Sequence, residues 1–339
     1  MQEKKLGKQT VQFQRPPTIT AAAAIVGPKE GKGPLAGYFD QTLDDELWGE
    51  KSWEMAESKL IRETLGKIAS KAVISVSGID YILAGDLLNQ CIAAHFGLRE
   101  SGLPLFGVYG ACSTMGETMS LGAILIDGGF AANVVCMTSS HFCSAEKQFR
   151  YPLELGSQRP PTAQWTVTGA GGVLLSCEGN GPFIMKATTG KIVDMGIKDQ
   201  NNMGAAMAPA AADTIYAHFE DTGLPHDYYD MVITGDLGQI GSEILDDLLS
   251  SNGIRIGKIL KDCGMMIYDK TQDAHAGGSG CGCSAVVFAG YLYHHLKNGG
   301  LSRILFVPTG ALLSPTSVQQ GESIPCIAHA LAVEAVWEG

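Results

Sequence analysis

The chain is short of positive charge, of long apolar runs and of paired cysteine motifs, and each shortage closes off a class of function. Its 24 Lys and Arg stand against 35 Asp and Glu, a formal net charge of -11. Such a balance repels polyanions, so nucleic acid is not an expected partner and the chain as a whole does not grip an anionic bilayer. No apolar run reaches the roughly 18 residues that read as membrane-crossing. The opening MQEKKLGKQTVQFQRPP is charged and lacks the apolar stretch of a secretion signal. A soluble chain is expected, attached to a membrane at most peripherally. The cysteines (91, 112, 136, 143, 177, 263, 281, 283 and 326) lie mostly in apolar segments. They read as reduced thiols of a cytosol-like compartment, not as a disulfide framework. Cys281-Gly282-Cys283 is C-x-C rather than the redox C-x-x-C, and no second pair completes a zinc spacing, so no metal is expected. GAGG at 169–172 and AGGSGCG at 276–282 match neither the phosphate-loop nor the dinucleotide pattern, and no cofactor is expected. Those glycines read as places where chain segments approach closely beside a pocket.

What is present points to an α/β protein. A length of 339 residues exceeds one small core and suggests two domains or one large duplicated unit. Short β-like runs alternate with longer helical ones. Ser52 is placed to cap a helix to about Ser70, with Trp53, Ala56, Leu60, Leu65 and Ile68 on its buried stripe. IDYILAG (79–85) reads as a short strand, and Leu105 to Tyr109 as another buried one. After the turn at Cys112 a helix runs to about Ile126 and stops at Asp127-Gly128-Gly129; NVVCMTSS is a third strand. Met203, Met207, Met265 and Met266 read as filler of a core or a dimer interface.

The same order recurs. IDYILAGDLLNQ (79–90) resembles YDMVITGDLGQI (229–240), which sets Asp86 and Asp236 in register 150 residues apart. GACSTMGETMSLGAILIDGGF matches CGCSAVVFAGYLYHHLKNGGL in outline, with Gly128-Gly129 over Gly299-Gly300 at an offset of 171, which lays Cys112 over Cys283. Two halves follow, 1–180 and 181–339, related by a pseudo-twofold axis. Ligands of such open sheets bind outside the carboxyl ends of the strands, where the halves meet.

With this duplication and with Cys112 on a GACS turn before a buried helix, the sequence resembles the thiolase and ketoacyl synthase superfamily. The resemblance implies a layered αβαβα fold, a homodimer paired through strands of the first half, and a nucleophilic cysteine at position 112. A thiol at a helix start feels free N–H groups and the positive dipole end, which favours thiolate. Condensing enzymes of this superfamily also carry a His after the first core strand of the second half, and an Asn or second His before its matching helix. Here those places read ITGDLGQIG and GGSGCGCSA, with Ser279 near the Asn position. A nucleophile needs a base and an oxyanion donor beside it, so catalysis is not expected. An active acyltransferase using Cys112 is the alternative.

Longer strings are more specific. VGPKEGKGPL, LAGDLLNQ, GACSTMGE, SSHFCSAEKQFRYP, TVTGAGG, MGAAMAPAAADTI, GGSGCGCSAVV, TGALLSPTSVQQ and ESIPCIAHAL resemble the stage V sporulation protein AD family of spore-forming Firmicutes. That resemblance implies a non-catalytic binder of dipicolinic acid (pyridine-2,6-dicarboxylate). It also implies a part in moving that acid, with calcium, into the developing spore, peripheral to the inner forespore membrane and beside membrane-embedded proteins of the same operon.

A flat dianion needs N–H and O–H donors, a cation and apolar walls. The Cys112 turn offers backbone donors with Ser113. His141 and Ser140, at the carboxyl end of NVVCMTSS, with Lys147 and Arg150, supply donors and charge. Asp86 and Asn89 end the first-half strand; Asp86 suits a dianion only if protonated, if it orients another donor or if calcium accompanies the ligand, and it reads equally well as a helix cap. Asp236 carries the same ambiguity. Ser279 and Cys283 complete the candidate set.

Overall fold

The computed structural model describes residues 4–150 and 159–337. The main path of the central sheet takes five strands from the first half: β1 (Thr18–Val26), β2 (Tyr81–Gly85), β3 (Leu105–Gly107), β4 (Asn133–Ser140) and β5 (Gly169–Ser176). It takes five from the second: β6 (Phe183–Thr189), β7 (Met231–Thr234), β8 (Leu260–Asp262), β9 (Arg303–Val307) and β10 (Cys326–Glu334). The hydrogen-bonded order is β8-β7-β9-β10-β6-β1-β5-β4-β2-β3. Read outward from the centre, both halves run first, fifth, fourth, second, third. Their parallel and antiparallel pairings also correspond: β2 is parallel to β3 and β4, and β7 to β8 and β9. The fifth strand of each half is antiparallel to both its neighbours. The repeat seen in sequence is therefore a repeat of topology.

The principal helices are α1 (Trp53–Ala72), α2 (Ile92–Leu98), α3 (Thr114–Asp127), α4 (Phe142–Phe149), α5 (Met203–Thr222), α6 (Gly238–Ser251) and α7 (Cys281–Val287). The last continues through a π turn, Phe288–Leu292, into Tyr293–Lys297. Helix α3 packs on β4 and β10, and α7 on β4 and β5; α1 covers β1 and β5, and α5 covers β10. Helices and sheet halves thus alternate in five layers. Met115, Met119, Val286, Phe288 and Phe306 fill the central one. Gly171 is the reason α7 sits so close, since a Cβ there would lie 2.4 Å from the Ala285 carbonyl carbon.

Local chemistry follows the sequence. Ser52 caps α1 by accepting from the Met55 N–H at 3.3 Å, and Ala56, Leu60, Ile61, Leu65 and Ile68 form its buried stripe. Helix α3 ends at Gly128 and Gly129, the latter at φ +77°. One expectation changes. The segment after Leu105 is not buried: β3 ends at Gly107 and forms the outer edge of the sheet, with Phe106 50% exposed. An apolar run alone cannot tell an edge strand from a central one.

His218 on α5 is enclosed between the Thr188 hydroxyl (2.8 Å) and the Tyr229 hydroxyl (2.7 Å), and burial pushes its pKa down to about 3. A His that stays neutral when folded but charges when unfolded supports the fold above its unfolded pKa and loses that support as pH falls below it. Between pH 6.5 and 5 the loss is about 2 kcal/mol. Urea unfolding at the two pH values is expected to show His218→Gln closing on the wild type by roughly that amount; a gap independent of pH contradicts the assignment.

Candidate functional site

The chain leaves β3 and turns sharply at Gly110–Cys112, with Ala111 in the left-handed region at φ +49°. A residue with a Cβ adopts that conformation only where its neighbours hold it. Here the Ser113 hydroxyl donates to the Gly110 carbonyl (2.7 Å) and the Thr114 hydroxyl to that of Ala111 (2.6 Å), while the Gly110 N–H donates to Thr114 Oγ1 (3.1 Å). Cys112 is thereby presented to a pocket of about 580 Å³, open mouth included. Leu87, Tyr109, Cys112, Phe149 and Arg150 line it from the first half; Gln200, Met203, Ser279 and Leu313 line it from the second. It lies beyond the carboxyl ends of the strands, between the halves. Met203 thus belongs to the pocket wall rather than to filler, whereas Met207 is core.

The helix-start argument for a thiolate does not hold. Burial and the Asp236 carboxyl push the Cys112 thiol well above its usual pKa. Desolvation outweighs the dipole because the thiol is enclosed and faces an acid. Asp236 is itself fully buried; its Oδ2 accepts from the Gly280 N–H at 2.9 Å, and burial raises its pKa to about 7. The two groups are close enough to perturb each other, yet Asp236 Oδ1 has no well-aligned hydrogen-bond partner.

Ser279 stands two residues before α7, as Cys112 stands two before α3, so Ser279 rather than Cys283 is the positional counterpart of Cys112. The offset counted from the glycine pairs misses this because the second helix, Cys281 through Lys297, and the turn after it are longer than Thr114–Asp127 and its turn. Cys283 lies beneath the pocket with its thiol toward the Gly235 carbonyl (3.5 Å); Cys281 is the second-half thiol that packs with Cys112.

Of the ten candidates, Cys112, Arg150 and Ser279 meet at the pocket, and the other seven do not line it. Ser113 closes the turn. His141 is a cap: its Nδ1 accepts from the Cys143 N–H (3.2 Å), its Nε2 meets the Glu46 carbonyl (2.8 Å), and burial lowers its pKa. Ser140 donates to the Val167 carbonyl (2.6 Å) and accepts from the Gly282 N–H (3.1 Å), tying β4 to α7. Asp86 holds the Leu88 and Ala94 N–H groups, each at 2.8 Å, so its capping role prevails. Asn89 is exposed, with its N–H on Gln148. Lys147 is ion-paired with Glu54 at 2.6 Å on the surface. Tyr109 and Leu313 also line the pocket, and Asp236 stands against Cys112 without lining it. Asp236 had a signal, its register with Asp86; Leu313 had none, since only the fold brings it here. Among the described residues no cluster of His, Cys, Asp or Glu is arranged to hold a metal ion.

The architecture is that of the thiolase-like condensing enzymes. The chain superposes on 3-oxoacyl-[acyl-carrier-protein] synthase III from Aquifex aeolicus with a TM-score of 0.56 at 13% identity, covering 94% of this chain and 99% of that one. On Xanthomonas campestris OleA the TM-score is 0.60 at 14% identity, covering 96% and 99%. At such identities the likeness defines the fold and nothing finer. The sequence is more specific: residues 7–334 match the family model of stage V sporulation protein AD. Stage V sporulation protein AD of Bacillus subtilis (strain 168) is 47% identical over 331 residues, 98% of either chain. The chain belongs to that sporulation family.

Proposed function

We propose that this protein binds dipicolinic acid without transforming it, and that the pocket beside Cys112 is where it does so. The carrying observation is the company Cys112 keeps. Where condensing enzymes of this fold supply a His and an Asn, this chain has Asp236 and Ser279, and the thiol is held neutral. An acid with a raised pKa, a hydroxyl and a protonated thiol present hydrogen-bond donors to a carboxylate but no base to activate a nucleophile. Apolar Leu87, Phe149 and Leu313 suit the ring, and Arg150 supplies charge.

In the sporulating cell the protein hands dipicolinate, as the free acid or its calcium chelate, to membrane-embedded proteins of its operon at the inner forespore membrane. Among the described residues no helix is long and apolar enough to cross a membrane, which supports a peripheral role. The protein acts as a homodimer. Edge strand β3, with Phe106, Phe96 and Tyr109 exposed around it, supports pairing through that edge, because an unpaired apolar edge recruits another strand. Phe106→Glu is expected to give monomers by light scattering; an unchanged mass contradicts pairing there.

Calorimetry of the purified chain with dipicolinate, with and without calcium, tests the binding reading. Saturable heat and a rise in melting temperature are expected. No heat and no thermal shift in either condition refutes it, and stable acylation of Cys112 with turnover of an acyl-CoA refutes the non-catalytic part.

A further inference from the structure

Three cations gather beside the wall of the pocket, and one of them has no hydrogen-bond partner for its buried donors. Arg150 lines the pocket and is ion-paired with Glu146 at 3.5 Å. Arg159 lies on the ring of Trp165, its guanidinium carbon 4.6 Å from the ring centroid, and Trp165 immediately precedes Thr166, which is part of the pocket wall. Lys29 sits over the same indole at 3.7 Å. The three cations repel one another in sequence: Arg150 lowers the pKa of Arg159, and Arg159 that of Lys29, each after burial as the larger cause.

The guanidinium of Arg159 is the anomaly. Its Nε and Nη2 are shielded from water and have no hydrogen-bond partner. Buried donors of a charged group are costly to leave unmade, so such a group marks a place where a partner arrives from outside. Glu146 already serves Arg150, and Asp273 and Glu146 reach Arg159 only as charges at a distance. A planar fork with two free N–H groups, beside a second arginine and backed by an aromatic ring, is built for a planar oxyanion.

We propose that Arg159, with Arg150, forms an outer anion subsite over this pocket that takes the second carboxylate of a flat dicarboxylate whose first carboxylate lies at the Cys112 turn. This rests on the binding reading above and adds to it a reason for selecting dicarboxylates over monocarboxylates: the inner end of the pocket offers neutral donors, the outer end fixed positive charge. Arg159 then works as a specificity-determining residue.

The test is calorimetry of the full chain with pyridine-2,6-dicarboxylate and with pyridine-2-carboxylate, for the wild type, Arg159→Gln and Arg159→Lys. The wild type is expected to prefer the dicarboxylate at least roughly tenfold, the loss of one charge-assisted pair. Arg159→Gln is expected to lose most of that preference while binding the monocarboxylate within about twofold of wild type, and Arg159→Lys to fall between, because a point charge cannot form the fork. Thermal melts without ligand confirm that both variants fold; should Arg159→Gln not fold, the Lys variant carries the comparison. Wild-type selectivity in Arg159→Gln, or an equal loss for both ligands, overturns the outer subsite and leaves dipicolinate binding standing. A wild type that binds neither ligand overturns both.

Discussion

Gly310→Ala is expected to deform the pocket beside Cys112 while changing no residue that lines it. Gly310 lies in the short strand Thr309–Ala311, which pairs with β10 and passes directly under the Cys112 turn. A Cβ there would stand 2.0 Å from the Gly110 carbonyl oxygen, 2.9 Å from the Ser113 nitrogen and 3.2 Å from that of Cys112. All three are backbone atoms, so no side chain can rotate away; the turn or the strand must move. Overpacking of this kind costs about 1–3 kcal/mol of stability. The same displacement carries Cys112 and Ala111 out of place, and dipicolinate affinity is expected to fall by more than roughly tenfold, the equivalent of about 1.4 kcal/mol. Gly37→Ala, where a Cβ meets nothing within 4 Å, is the control and leaves both quantities unchanged. Wild-type affinity in Gly310→Ala would show that the turn is not part of the site.

The second large effect concerns Asp236. Its folded pKa of about 7 lies well above the roughly 3.9 of an unfolded aspartate. Below about pH 4 both states are protonated and the group has no effect on folding. As pH rises from there the unfolded chain ionises first and is favoured, so stability is lost until the folded carboxyl also ionises near pH 7. The full penalty approaches 4 kcal/mol as an order of magnitude. Asparagine is neutral throughout and can still accept from the Gly280 N–H. Asp236→Asn is therefore expected to equal the wild type in stability near pH 4 and to exceed it increasingly up to about pH 7, with a plateau beyond. Denaturant melts at several pH values decide it, and a constant difference would mean that Asp236 is not held protonated. The cost falls beside the pocket, because Asp236 perturbs the thiol of Cys112, which lines it.

The fold was legible because its signals are periodic and repeated. NVVCMTSS is β4 residue for residue, the Gly-Gly stop ends α3, and the paired Gly-Asp-Leu segments revealed a duplication that the strand order repeats. Edge and centre were not legible, as β3 illustrates, because hydrophobicity does not record how many neighbours a strand has. The site was legible only at its hub. Cys112 follows from its GACS turn before a buried helix, Ser279 from the family resemblance that sets it near the Asn position, and Arg150 from its charge, whereas the duplication offset points to Cys283 instead of Ser279. His141, Asp86 and Ser140 sit in polar contexts that attract attention, but their side chains are consumed by backbone groups nearby. A one-dimensional pattern cannot distinguish a donor that is free from one already engaged. Leu313 reaches the pocket wall, and Gly310 the Cys112 turn, only through contacts far along the chain.

The central claim is that dipicolinate sits between the Cys112 turn and Ser279, noncovalently. A crystal of the chain grown with saturating dipicolinate tests it most directly. Density for one intact ligand is expected there, within hydrogen-bonding reach of Ser279 and of the turn, with the Cys112 thiol unmodified. Density at another place, an adduct on Cys112, or an empty pocket at saturation would contradict the account.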